Sequence, residues 1–199
     1  MCGRFTQTKS REEVLEQLGD IELPPLFHRR YNIAPTQQIA VIDQGHPDRS
    51  RLCTWGFIRA NSPSPVINAR HETLKERPMF RDLLAANRCL VPADGFYEWK
   101  SRHPYYFQLP DRSIFAFAGL WREERCVIIT RGDDGNMQGI HDRMPVIIEF
   151  SYWASWLKGF ELPHDAPALT ARPVSPRVNS VTHDDPACIE PAEVQDELF

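Results

Sequence analysis

No stretch of this sequence approaches the roughly 18 consecutive apolar residues that a membrane-crossing helix needs. The first residues carry no basic segment followed by an apolar run, so no secretory signal is expected. Neither of the common metal-binding spacings is present. No two of the five cysteines, at positions 2, 53, 89, 126 and 188, form a C-x-x-C pair, and no two of the seven histidines stand four apart. No metal site and no cofactor are expected from such a pattern. The odd thiol count without a signal peptide favours a reducing, cytoplasmic setting. Glycine is scarce at 10 residues, and the 17 prolines follow no collagen-like period, so many loops and short elements are expected. Internal repeats and clear linkers are absent too. The 199 residues therefore read as one domain, long enough to bury a sizeable core.

Positive charge is missing from the end of the chain. From Val178 onward there are six acids (Asp184, Asp185, Glu190, Glu193, Asp196 and Glu197) and no Lys or Arg. The net charge of −4 by itself argues against a nucleic-acid binder. Without that acidic end, however, the body holds 23 basic and 21 acidic residues, so a local basic groove is compatible with the total.

Hydrophobic spacing gives the elements. Ser10-Arg11-Glu12-Glu13 has the capping-box pattern, and Val14, Leu15 and Leu18 follow at helical spacing before Gly19, predicting a helix over 11–18. Residues 20–38 read as loop, Ile39–Ile42 as a strand and Gly45–Ser50 as a turn. Residues 51–58 and 65–68 read as strands around a Ser/Pro-rich loop, Asn61–Pro65. A second helix falls within 79–87. Strand runs follow at Cys89–Val91, Phe96–Lys100, Tyr105–Leu109, Ile114–Ala118, Arg125–Thr130 and Val146–Glu149. Tyr152, Trp153, Trp156 and Leu157 mark a last helical face, and the chain beyond Pro163 reads as irregular. Many short strands with few helices and no β-α-β alternation predict an α+β domain. Its core is a curved, mostly antiparallel sheet or barrel.

The first five residues, Met1-Cys2-Gly3-Arg4-Phe5, carry a chemical opportunity. Removal of Met1 leaves an amine and a thiol on adjacent carbons of Cys2. An α-amine titrates at about 7.7–8.0, so part of it is a neutral nucleophile at pH 7, unlike a lysine amine near 10.4. It can form a Schiff base with an aldehyde, and the thiol can close on the imine carbon to give a thiazolidine. The alternative is that Cys2 is an accident of position. Further on, Asn68-Ala69-Arg70-His71-Glu72 gathers an amide, a guanidinium and a carboxylate. Glu98 sits among aromatics in Gly95-Phe96-Tyr97-Glu98-Trp99, where burial would raise its pKa. His141 lies just before Asp142-Arg143-Met144-Pro145. Each also has a plain structural reading as a salt bridge, a core edge or a turn. Cys53, Cys89 and Cys126 lie in apolar runs and read as buried hydrophobes.

Taken in order, these segments resemble a known family. Met1-Cys2-Gly3-Arg4-Phe5, Arg30-Tyr31-Asn32-Ile33-Ala34-Pro35, Trp55-Gly56, Asn68-Ala69-Arg70 with Glu72-Thr73, Gly95-Phe96-Tyr97-Glu98-Trp99, Thr130, His141-Asp142-Arg143-Met144-Pro145, Pro173-Val174-Ser175 and Val178-Asn179 are similar to the motifs of the SRAP family (SOS response-associated peptidase, or abasic-site processing proteins) from residue 2 to about 191. The resemblance implies binding of single-stranded DNA or single-strand/double-strand junctions by a monomer. It also implies covalent capture of the ring-opened abasic sugar as a thiazolidine on Cys2. It implies that Asn68 orients the amine, that Glu98 moves protons, and that His141 assists sugar opening and reversal. Arg4 and Arg70 would hold flanking phosphates, with Arg29 and Arg30 as further candidates. Trp55, Phe5, Tyr97 and Trp99 are candidates for stacking on bases or wedging a duplex, with packing in the core as the alternative reading for most of them. A bacterial or phage origin is implied, with the protein on the nucleoid when DNA-bound. One departure stands out. The family commonly continues after Trp55-Gly56 with Pro and Trp, whereas this chain reads Phe57-Ile58-Arg59 and has no further Trp before Asn68.

Two other readings use the same residues. In an N-terminal-nucleophile or cysteine peptidase, including one that removes its own Met1, Cys2 would be the nucleophile, with His141 and Glu98 or Asp142 as partners. In a non-catalytic interaction module Cys2 would be structural.

Overall fold

The computed structural model describes residues 2–25, 27–60, 62–137, 139–162 and 165–192. The chain opens with β1 (Phe5–Gln7), α1 (Arg11–Leu18), β2 (Arg30–Ile33), β3 (Gln38–Asp43), β4 (His46–Trp55), β5 (Phe57–Arg59), β6 (Ser62–Val66) and β7 (Asn68–Arg70). Two short helices follow, α2 (Pro78–Arg81) and α3 (Leu83–Ala86). Then come β8 (Arg88–Ala93), β9 (Gly95–Lys100), β10 (His103–Gln108), β11 (Phe115–Arg122), β12 (Arg125–Gly132), β13 (Arg143–Pro145), β14 (Ile147–Glu149), α4 (Trp153–Leu157) and β15 (Thr170–Pro173).

The larger sheet closes on itself. Its strands run β12-β4-β3-β8-β11, and β11 pairs back onto β12. Most pairs are antiparallel, while β4 and β7 lie parallel to β12 one after the other. The expected curved, mostly antiparallel core is thus a ring of strands. A second sheet, in the order β15-β10-β9-β1-β2, packs against it.

Strand alternation separates two cores. Along β11, Phe115 and Phe117 join one cluster with Cys53, Cys89, Cys126 and Ile128. Their neighbours Ala116, Ala118 and Leu120 join another with Val127 and Ile129, covered by residues of α1 to α4. The first cluster also takes Cys2, Phe5, Phe96 and Phe107 from the smaller sheet, so one core joins the two sheets. It leaves no room to spare. A Cβ on Gly119 would lie 2.8 Å from the Cys89 sulfur and 2.9 Å from the Val127 carbonyl oxygen.

The first helix follows the sequence signal closely. Ser10 Oγ accepts the Glu13 backbone N–H at 3.2 Å, and Glu13 returns the bond to the Ser10 N–H at 2.7 Å. A cap of this kind contributes about 1 kcal/mol. Val14 and Leu18 are its buried positions. Other expectations need correction. Strand β4 starts at His46, so the turn predicted over Gly45–Ser50 is far tighter. The Ser/Pro-rich segment, whose Asn61 lies outside the described residues, is largely strand β6, paired to β5 at a sheet edge where proline needs no ladder bond. The second helix is interrupted at Asp82. Strands β2 and β15 fall where loop or irregular chain was read, and β1 and β13 where no element was assigned. They are three or four residues long, too short to show a period. Met1 and the acids Glu193, Asp196 and Glu197 lie outside the described residues.

Candidate active site

The packing that puts Cys2 in place begins with β1, held between β2 and β9: Phe5 pairs with Ile33 on one side and Phe96 on the other. Thr6 Oγ1 bonds Asp94 Oδ1, while Asp94 Oδ2 accepts the N–H and hydroxyl of Thr8 and the N–H of Lys9. Because these bonds are buried or nearly so, they fix the N-terminal strand rigidly. Cys2 is consequently fully buried. Its thiol receives the Arg4 backbone N–H, but burial and the nearby Glu98 carboxylate push the thiol far above the ordinary cysteine value.

Glu98 stands at the centre of β9, 3% exposed. Desolvation raises its pKa, and the neighbouring His141 pulls part of the shift back. His141, from the turn before β13, brings Nε2 to 4.0 Å from Glu98 Oε2. Its Nδ1 accepts the Arg143 backbone N–H at 3.0 Å and lies 2.8 Å from Asp142 Oδ1. Asn68 opens β7. Its Nδ2 reaches the Ile128 carbonyl at 3.5 Å, while its Oδ1 is buried with no hydrogen-bond partner among the described residues. Ile67 and Ile140, adjacent to Asn68 and His141, pack on the cluster that holds Cys2. The structure therefore brings Cys2, Glu98 and His141 together, with Asn68 at the rim of the same core. A buried amide oxygen left unbonded is costly, and a bound N–H would relieve it.

The basic candidates separate. Arg70 is exposed at the end of β7, and its guanidinium bonds no other described residue. Arg29 pairs with Glu13 at 3.0 Å on the surface. Arg4 donates to Asn32 Oδ1 at 2.6 Å and to the Val178 carbonyl at 2.7 Å, and its guanidinium lies 5.8 Å from the Trp99 ring centre. Arg30 is tied to Asp184 at 2.6 Å and to Gln37. The stacking role expected of Trp55 is corrected. Its ring is fully buried edge-on to Phe5, with centroids 5.3 Å apart, and its Nε1 donates to Ile67 at 3.0 Å, so no face is open to a base. Phe5 and Tyr97 are buried as well, whereas Trp99 keeps a partly open face.

Sequence reading assigned no role to Asn32, Asp184 or the Glu72–Arg143 pair. Asp184 Oδ1 accepts the backbone N–H groups of Tyr31 and Asn32, and Asn32 Nδ2 donates to the carbonyls of Ser180 and His183 at 2.9 and 2.7 Å. Only their place in quoted motifs, or in the acidic end, marked them. Among the described residues no cluster of His, Cys, Asp or Glu could hold a metal ion, and no helix is long and apolar enough to cross a membrane.

A family model described as SOS response associated peptidase (SRAP) matches residues 1–181. The abasic site processing protein YoqW of Bacillus subtilis is 36% identical over 222 residues, covering 96% of this chain and 99% of that protein. The abasic site processing protein YobE of the same organism is 36% identical over 212 residues, covering 90% and 97%. The fold is also that of a crystal structure from Bacteroides thetaiotaomicron, with a TM-score of 0.79 at 22% identity, covering 96% of this chain and all of that one.

Proposed function

The chain belongs to the SRAP family, and on that premise we propose that it captures abasic sites in single-stranded or junction DNA by forming a thiazolidine on Cys2. The observation that carries the reading is a buried thiol facing a buried carboxyl, with an imidazole 4.0 Å beyond it.

The raised thiol pKa sets the order of steps. The sulfur stays protonated at neutral pH, so the α-amine exposed by loss of Met1 attacks first. Its nitrogen adds to the C1′ aldehyde carbon of the opened sugar. The adduct's alkoxide takes one proton from the attacking nitrogen, and Glu98 in its protonated form supplies the second proton with which the hydroxyl leaves as water, giving the protonated imine and the Glu98 carboxylate. The sulfur then adds to the imine carbon as its proton passes to that carboxylate, so Glu98 is restored and the ring nitrogen keeps its own N–H. A carboxyl whose pKa burial raises suits both directions of transfer. The unbonded Asn68 Oδ1 accepts an N–H of the amine or of the closed ring. His141 serves sugar opening and reversal from the outer side of Glu98. Arg70 is the guanidinium best placed for a flanking phosphate, since it is exposed and uncommitted, with Arg29 the more peripheral cation.

A second reading draws on the family description as a peptidase: the same groups release Met1 by cleaving the Met1–Cys2 bond. Intact-mass measurement tests both. Mature protein incubated with an abasic oligonucleotide gains the mass of one strand less one water. Methionine-free protein that remains unmodified overturns the crosslinking reading. Retention of Met1 in Glu98→Gln but not in the wild type supports self-processing.

A further inference from the structure

His141 Nδ1 is contested. The Arg143 backbone N–H at 3.0 Å needs a lone pair there, whereas Asp142 Oδ1 at 2.8 Å needs a proton. Among the described residues, Glu98 from β9 and Asp142 with Arg143 from its own turn face the ring. The Asp142 side chain is 87% exposed, so solvent competes for it. The Arg143 N–H belongs to a residue fixed from several sides. Arg143 pairs with Gly132 across β12 and β13, and Asp142 O accepts the Asp133 N–H at 3.0 Å. Its guanidinium grips Glu72 in a two-pronged pair, Nη1 to Oε1 at 3.2 Å and Nη2 to Oε2 at 2.9 Å, and also donates to the Thr130 carbonyl at 3.0 Å. Glu72 Oε1 takes the Gly132 N–H at 3.0 Å as well. Glu72 lies just past β7, in the same short segment as Asn68 and Arg70, so this one carboxylate ties the segment bearing Asn68 to the turn bearing His141.

We propose that the Glu72–Arg143 pair is a positioning clamp that holds His141 as the neutral tautomer with its proton on Nε2, directed at Glu98. An isolated surface ion pair would contribute little. This one is bidentate, embedded in a backbone network, and anchors the very N–H that selects the tautomer. Glu72 is thus a positioning residue acting through Arg143 on His141. Its consequence for crosslinking rests on the function proposed above; the clamp itself does not.

The test is nitrogen NMR of histidine-labelled mature protein, at a pH above the imidazole titration, on wild type, Glu72→Gln and Glu72→Asp. The wild type should show His141 with an unprotonated Nδ1. Glu72→Gln should move population to the Nδ1–H form and slow single-turnover crosslinking at saturating abasic DNA about tenfold, the scale of a lost supporting contact, with affinity for the DNA unchanged. Glu72→Asp, which keeps the charge, should recover part of both. A folded Glu72→Gln protein with wild-type His141 signals overturns the proposal. So does a wild type protonated on Nδ1, a measurement that stands even where the variant fails to fold. If the wild type forms no adduct while the nitrogen signals respond as described, the crosslinking reading fails and the clamp stands.

Discussion

Cys2 and the trio of Cys53, Cys89 and Cys126 are all fully buried and share one hydrophobic cluster, yet the polar groups beside them differ. The trio lines the ring amid aliphatic and aromatic side chains. The thiols of Cys89 and Cys126 are raised well above the ordinary value, first by burial and then by their sulfur neighbours. Cys2 meets a carboxyl and, past it, an imidazole. Burial alone therefore identifies no nucleophile. What separates the two regions is the state of the neighbouring carboxyl: Asp43, whose charge reaches Cys53 and Cys89, is tied to Arg51 at 2.7 Å, whereas Glu98 beside Cys2 is desolvated with an imidazole 4.0 Å away.

The sharpest way to break that contrast is to exchange the sulfur. Cys2→Ala should abolish the adduct, read as a denaturant-resistant band shift with an abasic oligonucleotide, while Cys89→Ala should leave it intact. An adduct surviving in Cys2→Ala would place the chemistry elsewhere. Next in size, Glu98→Gln should slow adduct formation about a hundredfold, the ordinary worth of a positioned acid–base group. It should also change stability in the opposite sense at higher pH. A carboxyl with a raised folded pKa binds its proton more tightly in the native state, so it lowers stability as pH climbs from the unfolded value, about 4.3, through the folded one. Melting temperature against pH should show that decline in the wild type and not in Glu98→Gln.

Smaller effects sharpen the comparison from the structural side. Gly119→Ala should destabilise by about 1–3 kcal/mol, since the new methyl meets both a sulfur and a backbone oxygen. Cys89→Ala should lose about 1 kcal/mol by denaturant titration. Arg70→Ala should reduce the salt slope of DNA binding by about 1 without changing the adduct chemistry, and an unchanged slope would remove Arg70 from the phosphate path.

Cys2, Asn68, Glu98 and His141 could be singled out in the sequence because unusual residue types stand in ordered motifs, and in the fold Cys2, Glu98 and His141 lie near one another. Helix α1 was legible because a capping box, an apolar spacing and a stop glycine agree. The closure of β11 onto β12 was not legible, since a hairpin reads alike in an open or a closed sheet. Trp55 was misassigned to stacking because aromatics serve cores and bases equally, and only its tight contact with Phe5 decides. Arg4 and Arg30 looked like phosphate ligands in sequence. Their partners Asn32, Val178 and Asp184 stand 28, 174 and 154 residues away, beyond any local pattern.

Those last contacts have a consequence in time. The start of β1 and strand β2 are stitched to residues 178–184, and Val178 leaves the ribosome 174 residues after its partner Arg4. Until that stretch emerges, Arg4, Asn32 and the amides of β2 lack their partners. A polypeptide cut short of that stretch would therefore hold its first strands on an unfinished frame.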